Sequence, residues 1–247
     1  MLPFGAMARA RTSWLDAVFY SLVFLTAVVF AFEIFFIFLE TPVERRMGIV
    51  QKIFYFHAPS GYAMYIGATA CFIGSVAYLV RPTETSDAIG RTGAEAAIVF
   101  GGILLTTGPL WGAKAWGAFW TWDPRLTTAL LSFLIYVAYV VLRAFAGDGP
   151  GERRFAAALG VLGAANLPII HFSVQKWGGQ HPMVVTGSGG GLQHPAMKTA
   201  LGLGFLAFTL LAVALIWLVS RIEIGHSRLR AAEEDAIDLG LDTRTEA

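Results

Sequence analysis

Six long apolar stretches dominate this sequence and constrain its fold more than any other feature. A helix that spans the hydrocarbon core of a bilayer needs about 20 mostly apolar residues. Charged residues make up only 14% of the chain, against about 25% in soluble domains. The sequence therefore predicts an all-α, polytopic membrane protein with six transmembrane helices. The predicted helices cover residues 15–39, 61–80, 94–110, 126–145, 155–172 and 199–219.

The two ends of the chain differ in character. Arg9 and Arg11 precede the first apolar stretch, which is longer than the roughly 7–15 residues of a signal-peptide core. We therefore interpret it as an uncleaved first transmembrane helix. The predicted division is a membrane domain over residues 1–220 and a charged tail over residues 221–247. We expect the start of the tail to extend the last helix and its end to be disordered.

Several classes of function are excluded by composition and motifs. The net charge of +1 provides no basic excess for nucleic acid. Cys71 is the only cysteine, so an internal disulfide, a CxxC redox pair and a cysteine zinc site are all ruled out. Its apolar surroundings predict a buried, inert thiol. The sequence also lacks the zinc-protease helix motif and the GxxxxGK[ST] loop of an ATPase.

The distribution of Lys and Arg near the helix ends predicts the orientation, because cytoplasmic loops carry the excess of positive charge. The side with more cations is predicted to be cytoplasmic, together with both termini. It collects Arg9, Arg11, Arg81, Arg91, Arg143, Arg153, Arg154, Arg221, Arg228 and Arg230. The other side collects Arg45, Arg46, Lys52, Lys114, Arg125, Lys176 and Lys198. Its three connections, residues 40–60, 111–125 and 173–198, are then periplasmic.

The second of these outer connections is unusually rich in tryptophan. It contains Trp111, Trp116, Trp120 and Trp122, together with Phe119. An interfacial aromatic belt explains one or two Trp at each helix end, but not this density interleaved with glycine. Flat aromatic side chains suit a flat apolar ligand with polar edges. Asp123 follows the segment, and capping of helix four and direct ligand contact remain equal alternatives for it.

Histidines lie in the two flanking outer connections. His57 is placed just before the second helix, and His181 lies in the third outer connection. Neutral imidazole is a common axial ligand of haem iron, so two histidines from separate loops can clamp one haem. His194, in the same connection as His181, is an alternative ligand. His171 and His226 are interpreted as structural or solvated side chains.

Haem propionates need cationic partners, with which they form charge-assisted hydrogen bonds. Arg125 is the best candidate because it follows Asp123 closely. For the other cations on this side, ordinary snorkelling to the interface is as good an explanation as propionate binding. These cations are Arg45, Arg46, Lys52, Lys114 and Lys176. Glu33 lies within helix one, and an intramembrane acid is a functional candidate; we expect it to be close enough to the outer end to reach the headgroups.

The segment Trp-Gly-Ala-Phe-Trp-Thr-Trp-Asp-Pro at residues 116–124 resembles the WWD segment of haem-handling proteins in cytochrome c maturation. Within that superfamily the chain is most similar to the haem exporter protein C family, CcmC. Longer cytochrome c synthase-type members usually carry an acidic residue after Trp-Asp, where this chain has Leu126 and Thr127. The residues that match the family are Trp116, Trp120, Trp122 and Asp123 in the segment, with Phe119 where many members have Trp, and His57 and His181 as axial ligands.

The resemblance implies a haem-binding protein of the bacterial inner membrane that is not an enzyme. Its cargo would be haem b, presented at the periplasmic face to the haem chaperone CcmE. The implied partners are the ATPase CcmA, the membrane subunit CcmB, the small subunit CcmD and membrane lipid. The chain has no CxxCH motif, so it is not itself a c-type cytochrome.

Two other functions remain as alternatives. A transporter that moves haem across the bilayer would favour polar residues or broken helices near the midplane, and most helices here lack charge. A cytochrome c haem lyase or synthase would act on CxxCH directly, but Leu126 and the short length argue against it.

Overall fold

The computed structural model of the chain describes residues 13–147, 149–181 and 191–239, which form six long α-helices. Each of the six is long and apolar enough to cross a membrane. The helices are α1 (Trp14–Phe35), α2 (Phe54–Val80), α3 (Glu84–Trp116), α4 (Pro124–Phe145), α5 (Pro150–Trp177) and α6 (Pro195–Asp238). A π-helical turn, Phe36–Glu40, follows α1, and a 3₁₀ helix, Ile49–Ile53, precedes α2. The predicted all-α, polytopic fold is confirmed.

Polar residues just ahead of the helices determine where several of them begin. The first N–H groups of a helix lack partners within it, and a side-chain oxygen at the N-cap satisfies one of them. Ser13 and Thr83 do this for α1 and α3, each in a reciprocal capping box. Asp123 and His194 cap α4 and α6, and a proline occupies the first helical position after each.

Helix α2 lies at the centre of the bundle, against α3, α5 and α6, while α1 packs on α6 and α4 packs on α3 and α5. Glycines allow α2 and α3 to approach closely. A Cβ built on Gly67 would lie 2.6 Å from the backbone nitrogen of Ala97, and Cβ atoms on Gly74 and Gly93 would overlap the facing backbone. Cys71 is fully buried in this core, as predicted.

One end of the bundle, here called the arginine end, is closed by ion pairs that connect α3 to α4, α5 and α6. The pairs are Arg143–Asp87 at 2.8 Å, Arg153–Glu84 at 2.8 Å and Arg91–Glu223 at 3.0 Å. The opposite end, here called the histidine end, carries the connections that follow α1, α3 and α5. Because six helices alternate in direction, those three connections share one side of the bundle.

The structure corrects the predicted limits of three helices at the histidine end, and one of them is α5, which continues past residue 172 to Trp177. His57 lies inside the first turn of α2, not in the loop before it. Helix α3 continues through Trp111 and Trp116, which were predicted to lie in a connection. The apolar windows ended at polar or glycine residues, but backbone hydrogen bonding continues past them. Pro59 is accommodated near the start of α2, where the loss of one helical hydrogen bond is less disruptive than in mid-helix.

Helix α6 extends without a break across residue 220 to Asp238, which confirms that the start of the tail continues the last helix. The end of the tail, which was predicted to be disordered, lies outside the described residues. Arg9 and Arg11 lie outside them as well. The division at residue 220 stays a prediction.

Glu33 is fully buried in α1 and faces α6, where a Cβ on Gly204 would lie 3.0 Å from its Oε1. Neither carboxyl oxygen has a hydrogen-bond partner among the described residues. The expectation that Glu33 reaches the headgroups is therefore wrong, because its side chain turns into the helix interface instead of towards the bundle end.

Candidate functional site

His57 projects from α2 against α3. Its Nδ1 lies 3.0 Å from the hydroxyl oxygen of Thr107. The neighbouring position is Gly108, where a Cβ would lie 3.1 Å from His57 Cε1. Helix α3 therefore supplies both a hydrogen-bond partner and the free space for the imidazole ring.

Trp116, at the end of α3, lies between the helix and the last connection. Its ring centroid is 6.3 Å from that of His181 and 5.9 Å from that of Trp111. Helix α3 ends there because Gly117 adopts a left-handed conformation, with φ of 75°. Gly112 makes room for the indole, since a Cβ at that position would lie 2.9 Å from the Trp116 ring.

Asp123 connects the tryptophan-rich segment to the connection that carries His181. One carboxylate oxygen accepts a hydrogen bond from the backbone N–H of Arg125 at 2.8 Å, which caps α4. The other accepts from the backbone N–H of Gln180 at 2.7 Å. Gly179 has φ of 144°, and a Cβ on it would overlap Asp123 Oδ2. Of the two alternatives for Asp123, the helix-capping role is confirmed.

His181 is largely withdrawn from solvent, and its Nδ1 has no hydrogen-bond partner among the described residues. Burial lowers its pKa to about 4, the charge of Arg125 and the ring of His57 act in the same direction, and Asp123 opposes them. The imidazole is therefore neutral at physiological pH. Both histidines lie at the histidine end of the bundle, His57 in the first turn of α2 and His181 in the connection that follows α5. Pro182, which follows His181 in the sequence, lies outside the described residues.

Arg125 lies at the start of α4, and its charge acts on His181. Its Nη2 donates to the backbone carbonyl of His171 at 3.0 Å, which connects α4 to α5. Its Nε is buried and has no hydrogen-bond partner in the described part of the chain. The guanidinium therefore retains a donor for a further partner.

The remaining aromatics of the segment face outward. Trp122 is 76% exposed and Phe119 is 65% exposed. Trp120 is half-buried, and its ring packs edge-on against Trp122 with centroids 5.8 Å apart. Phe119 and Trp122 are therefore the open aromatic side chains of the segment, whereas Trp116 is more enclosed.

Comparison with known proteins decides the family. The family model described as "Heme exporter protein C" (CcmC) matches residues 4–235 of this chain. This chain belongs to the CcmC family.

Curated members of the CcmC family support the assignment across most of the chain. "Heme exporter protein C" of Bradyrhizobium diazoefficiens is 34% identical over 78% of this chain and 73% of its own length. The protein of the same name from Escherichia coli K12 is 35% identical over 70% of each chain. That of Paracoccus denitrificans is 28% identical over 77% of this chain and 80% of its own. The chain is thus a multi-pass membrane component of a haem-handling system for cytochrome c maturation.

Within this CcmC-family chain the other histidines have different surroundings. His194 is exposed, and its Nδ1 accepts a hydrogen bond from the backbone N–H of Ala196 as the N-cap of α6. His171 stacks edge-on against Phe172, with centroids 4.8 Å apart. His226 is exposed on the part of α6 at the arginine end.

The other cations at the histidine end are less well placed than Arg125. Lys52 is buried, and its Nζ donates to the carbonyls of Ile37 and Phe38 at 2.7 and 3.1 Å, so it supports the π-helical turn. Arg45, Arg46, Lys114 and Lys176 are exposed or only partly covered.

Sequence reasoning did not find the residues that hold the site together. These residues are Thr107, Gly108, Gly112, Gly179 and Gln180. The only signal for any of them was the pair of glycines before Gln180, a pattern typical of a turn with positive φ.

Proposed function

We propose that this chain binds haem b at the histidine end and presents it for attachment to the haem chaperone CcmE. His57 and His181 are the axial ligands in this proposal. Trp116, Phe119, Trp120 and Trp122 form the aromatic surface along the macrocycle, and Arg125 pairs with a propionate. Asp123 acts by holding the connection that carries His181.

The observation that carries the proposal is the Nδ1 of His181 beside Trp116, which has no hydrogen-bond partner among the described residues. A buried polar atom with no partner costs about 1–3 kcal/mol, so a partner that completes its bonding is favoured. The low pKa keeps this imidazole neutral, and neutral imidazole is the form that binds a metal.

The surroundings also fit the two chemical parts of haem, its apolar ring and its propionate carboxylates. The indole of Trp116 offers a flat apolar surface to a porphyrin ring. The Nε of Arg125, which has no partner in the part of the chain that the structure describes, offers a charge-assisted hydrogen bond to a carboxylate. The bound group would supply the iron porphyrin that becomes the prosthetic group of a c-type cytochrome.

The exposed rings of Phe119 and Trp122 suit a delivery role. Aromatic residues are enriched where one protein docks on another, and these two lie in the tryptophan-rich segment that also carries Trp116. In this proposal the histidine end is periplasmic, the arginine end and both termini are cytoplasmic, and CcmA, CcmB and CcmD complete the assembly. The chain acts as a haem-binding scaffold and not as an enzyme.

The test is the absorption spectrum of the purified, haem-loaded protein. Six-coordinate, low-spin haem with two nitrogen ligands is expected. His57→Ala and His181→Ala should each change that spectrum or lose haem, whereas exposed His226→Ala should leave it unchanged. His194→Ala separates the two candidates in the last connection: loss of the bis-histidine spectrum in this variant, with none in His181→Ala, would overturn the assignment of His181.

Orientation has a separate test in reporter fusions. A fusion near Gly117 should report the periplasm, and fusions after Arg81 and Gly147 should report the cytoplasm. A cytoplasmic signal near Gly117 would contradict presentation of haem to a periplasmic chaperone.

A further inference from the structure

Thr107 contacts His57, and the geometry shows which of the two side chains donates the hydrogen bond. Its hydroxyl oxygen lies 3.0 Å from His57 Nδ1. The same hydroxyl donates to the backbone carbonyl of Ile103 at 2.6 Å, one turn earlier in α3. A threonine hydroxyl has a single hydrogen. Since that hydrogen is directed at Ile103, the oxygen faces His57 as an acceptor.

An acceptor at this position requires a proton on Nδ1. In a neutral imidazole, a proton on Nδ1 leaves the lone pair on Nε2.

From this geometry we infer that Thr107 is a positioning residue that fixes the tautomer of His57, so that Nε2 is the nitrogen offered to haem iron. The inference rests on the proposed haem ligation by His57. It assigns to α3 a role beyond packing: Thr107 orients the ligand ring by a hydrogen bond, as outer partners of metal-binding histidines commonly do.

Gly108 completes the arrangement by leaving room for the ring. A side chain at this position would start 3.1 Å from His57 Cε1, which is tighter than ordinary van der Waals contact. Thr107 therefore fixes the rotation of the imidazole, and Gly108 lets it lie close against α3.

The first experiment compares three variants loaded with haem. Thr107→Val removes the hydroxyl at nearly constant volume, Thr107→Ser retains it, and Thr106→Val is the matched control. Thr106 is the adjacent position on α3, is exposed, and uses its hydroxyl only towards the carbonyl of Gly102 among the described contacts. The measurements are haem affinity and the midpoint reduction potential.

Thr107→Val is expected to weaken haem binding about tenfold, the lower end of the range for loss of an outer hydrogen-bond partner. Its reduction potential should rise, since an imidazole without this acceptor donates less electron density to iron. Thr107→Ser and Thr106→Val should match the parent protein in both measurements. A parental affinity and potential in Thr107→Val would overturn the inference.

A second measurement does not depend on how well Thr107→Val folds. His57→Gly leaves a cavity in which added imidazole can replace the lost ring. Imidazole can bind iron through one nitrogen and donate from the other to Thr107, whereas 1-methylimidazole has no N–H to donate. Imidazole should restore the bis-nitrogen spectrum at a lower concentration than 1-methylimidazole. Equal restoration by the two would contradict a role for an N–H bond to Thr107.

Failure of the inference and failure of the proposed function give different results. If His57→Ala leaves the haem spectrum unchanged, His57 is not a ligand and the proposed function loses its axial pair. If His57→Ala changes the spectrum while Thr107→Val does not change affinity or potential, only the role of Thr107 is wrong.

Discussion

Asp123 and Gln180 are 57 positions apart in the chain, and the carboxylate of Asp123 accepts the backbone N–H of Gln180 at 2.7 Å. The same carboxylate caps α4 through Arg125. One side chain thus fixes the start of a helix and the position of the residue before His181. Asp123, the acidic residue of the WWD segment, therefore has a structural role that the sequence around it does not reveal.

Asp123→Asn tests this link. An asparagine has one carbonyl oxygen and an NH₂ donor in place of the second carboxylate oxygen, so it can keep the cap but not both bonds. We expect weaker haem retention with a small change in thermal stability. Thr83→Ala removes a cap at the arginine end, costs about 1 kcal/mol, and should retain haem normally. Equal haem retention in Asp123→Asn and the parent would refute the link.

Gly179→Ala provides a second approach to the same connection. A Cβ at this position would overlap Asp123 Oδ2, and the backbone has φ of 144°, so the connection must move. The expected result is loss of haem from a protein that still accumulates in the membrane. Gly202→Ala is the control, because a Cβ there meets nothing within 4 Å and alanine favours a helix by about 1 kcal/mol.

The pH dependence of haem retention follows from His181. Its pKa in the folded protein is about 4, so retention should be constant near neutral pH and fall as the pH decreases towards 4. In the unfolded chain the pKa is about 6.5. Between these values the unfolded state binds the proton, so the haem-free fold loses stability as the pH falls.

Arg125→Gln should move this acid transition to higher pH, because the Arg125 charge is the second largest cause of the low pKa of His181. The measurement is the spectrum of bound haem across a pH titration. Haem affinity at neutral pH should fall as well, through loss of the propionate partner. An acid transition at the same pH in Arg125→Gln and the parent would contradict the electrostatic contact.

The exposed tryptophans permit a test of delivery that is separate from folding. Trp122 is 76% exposed at the histidine end and Trp14 is 73% exposed at the start of α1. Trp122→Ala should lower the rate of haem transfer to CcmE while the protein accumulates normally. Trp14→Ala should leave transfer unchanged. If Trp122→Ala transfers haem at the parental rate, this ring belongs to the interfacial aromatic belt.

The ion pair between Arg143 and Asp87 should be important for stability, since Arg143 is buried and the distance is 2.8 Å. Removal of one partner of a buried pair typically costs about 3–5 kcal/mol, but Asp87 would keep its ion pair with Arg153 at 3.5 Å, which offsets part of that cost. Arg143→Met should therefore lower the melting temperature in detergent. Arg143→Met combined with Asp87→Asn should recover part of that loss, and no recovery would argue against coupling between the two side chains.

The sequence by itself determined the membrane class, the six helices and the family. An apolar stretch of this length forms a transmembrane helix in lipid, because every backbone polar group must then find its hydrogen-bond partner within the same helix. The segment from Trp116 to Asp123 is local, so its pattern can be read without a fold. The same is true of the cap that Asp123 and Pro124 form at the start of α4.

Only the tertiary structure decided how the site is held. His57 lies within α2 and not before it, because helical hydrogen bonding continues past the polar residues that end an apolar window. Thr107 meets His57 across 50 positions, and Gln180 meets Asp123 across 57. Such contacts depend on the register and rotation of packed helices, which are fixed by close approach at residues such as Gly67 and leave no periodic signal in the sequence.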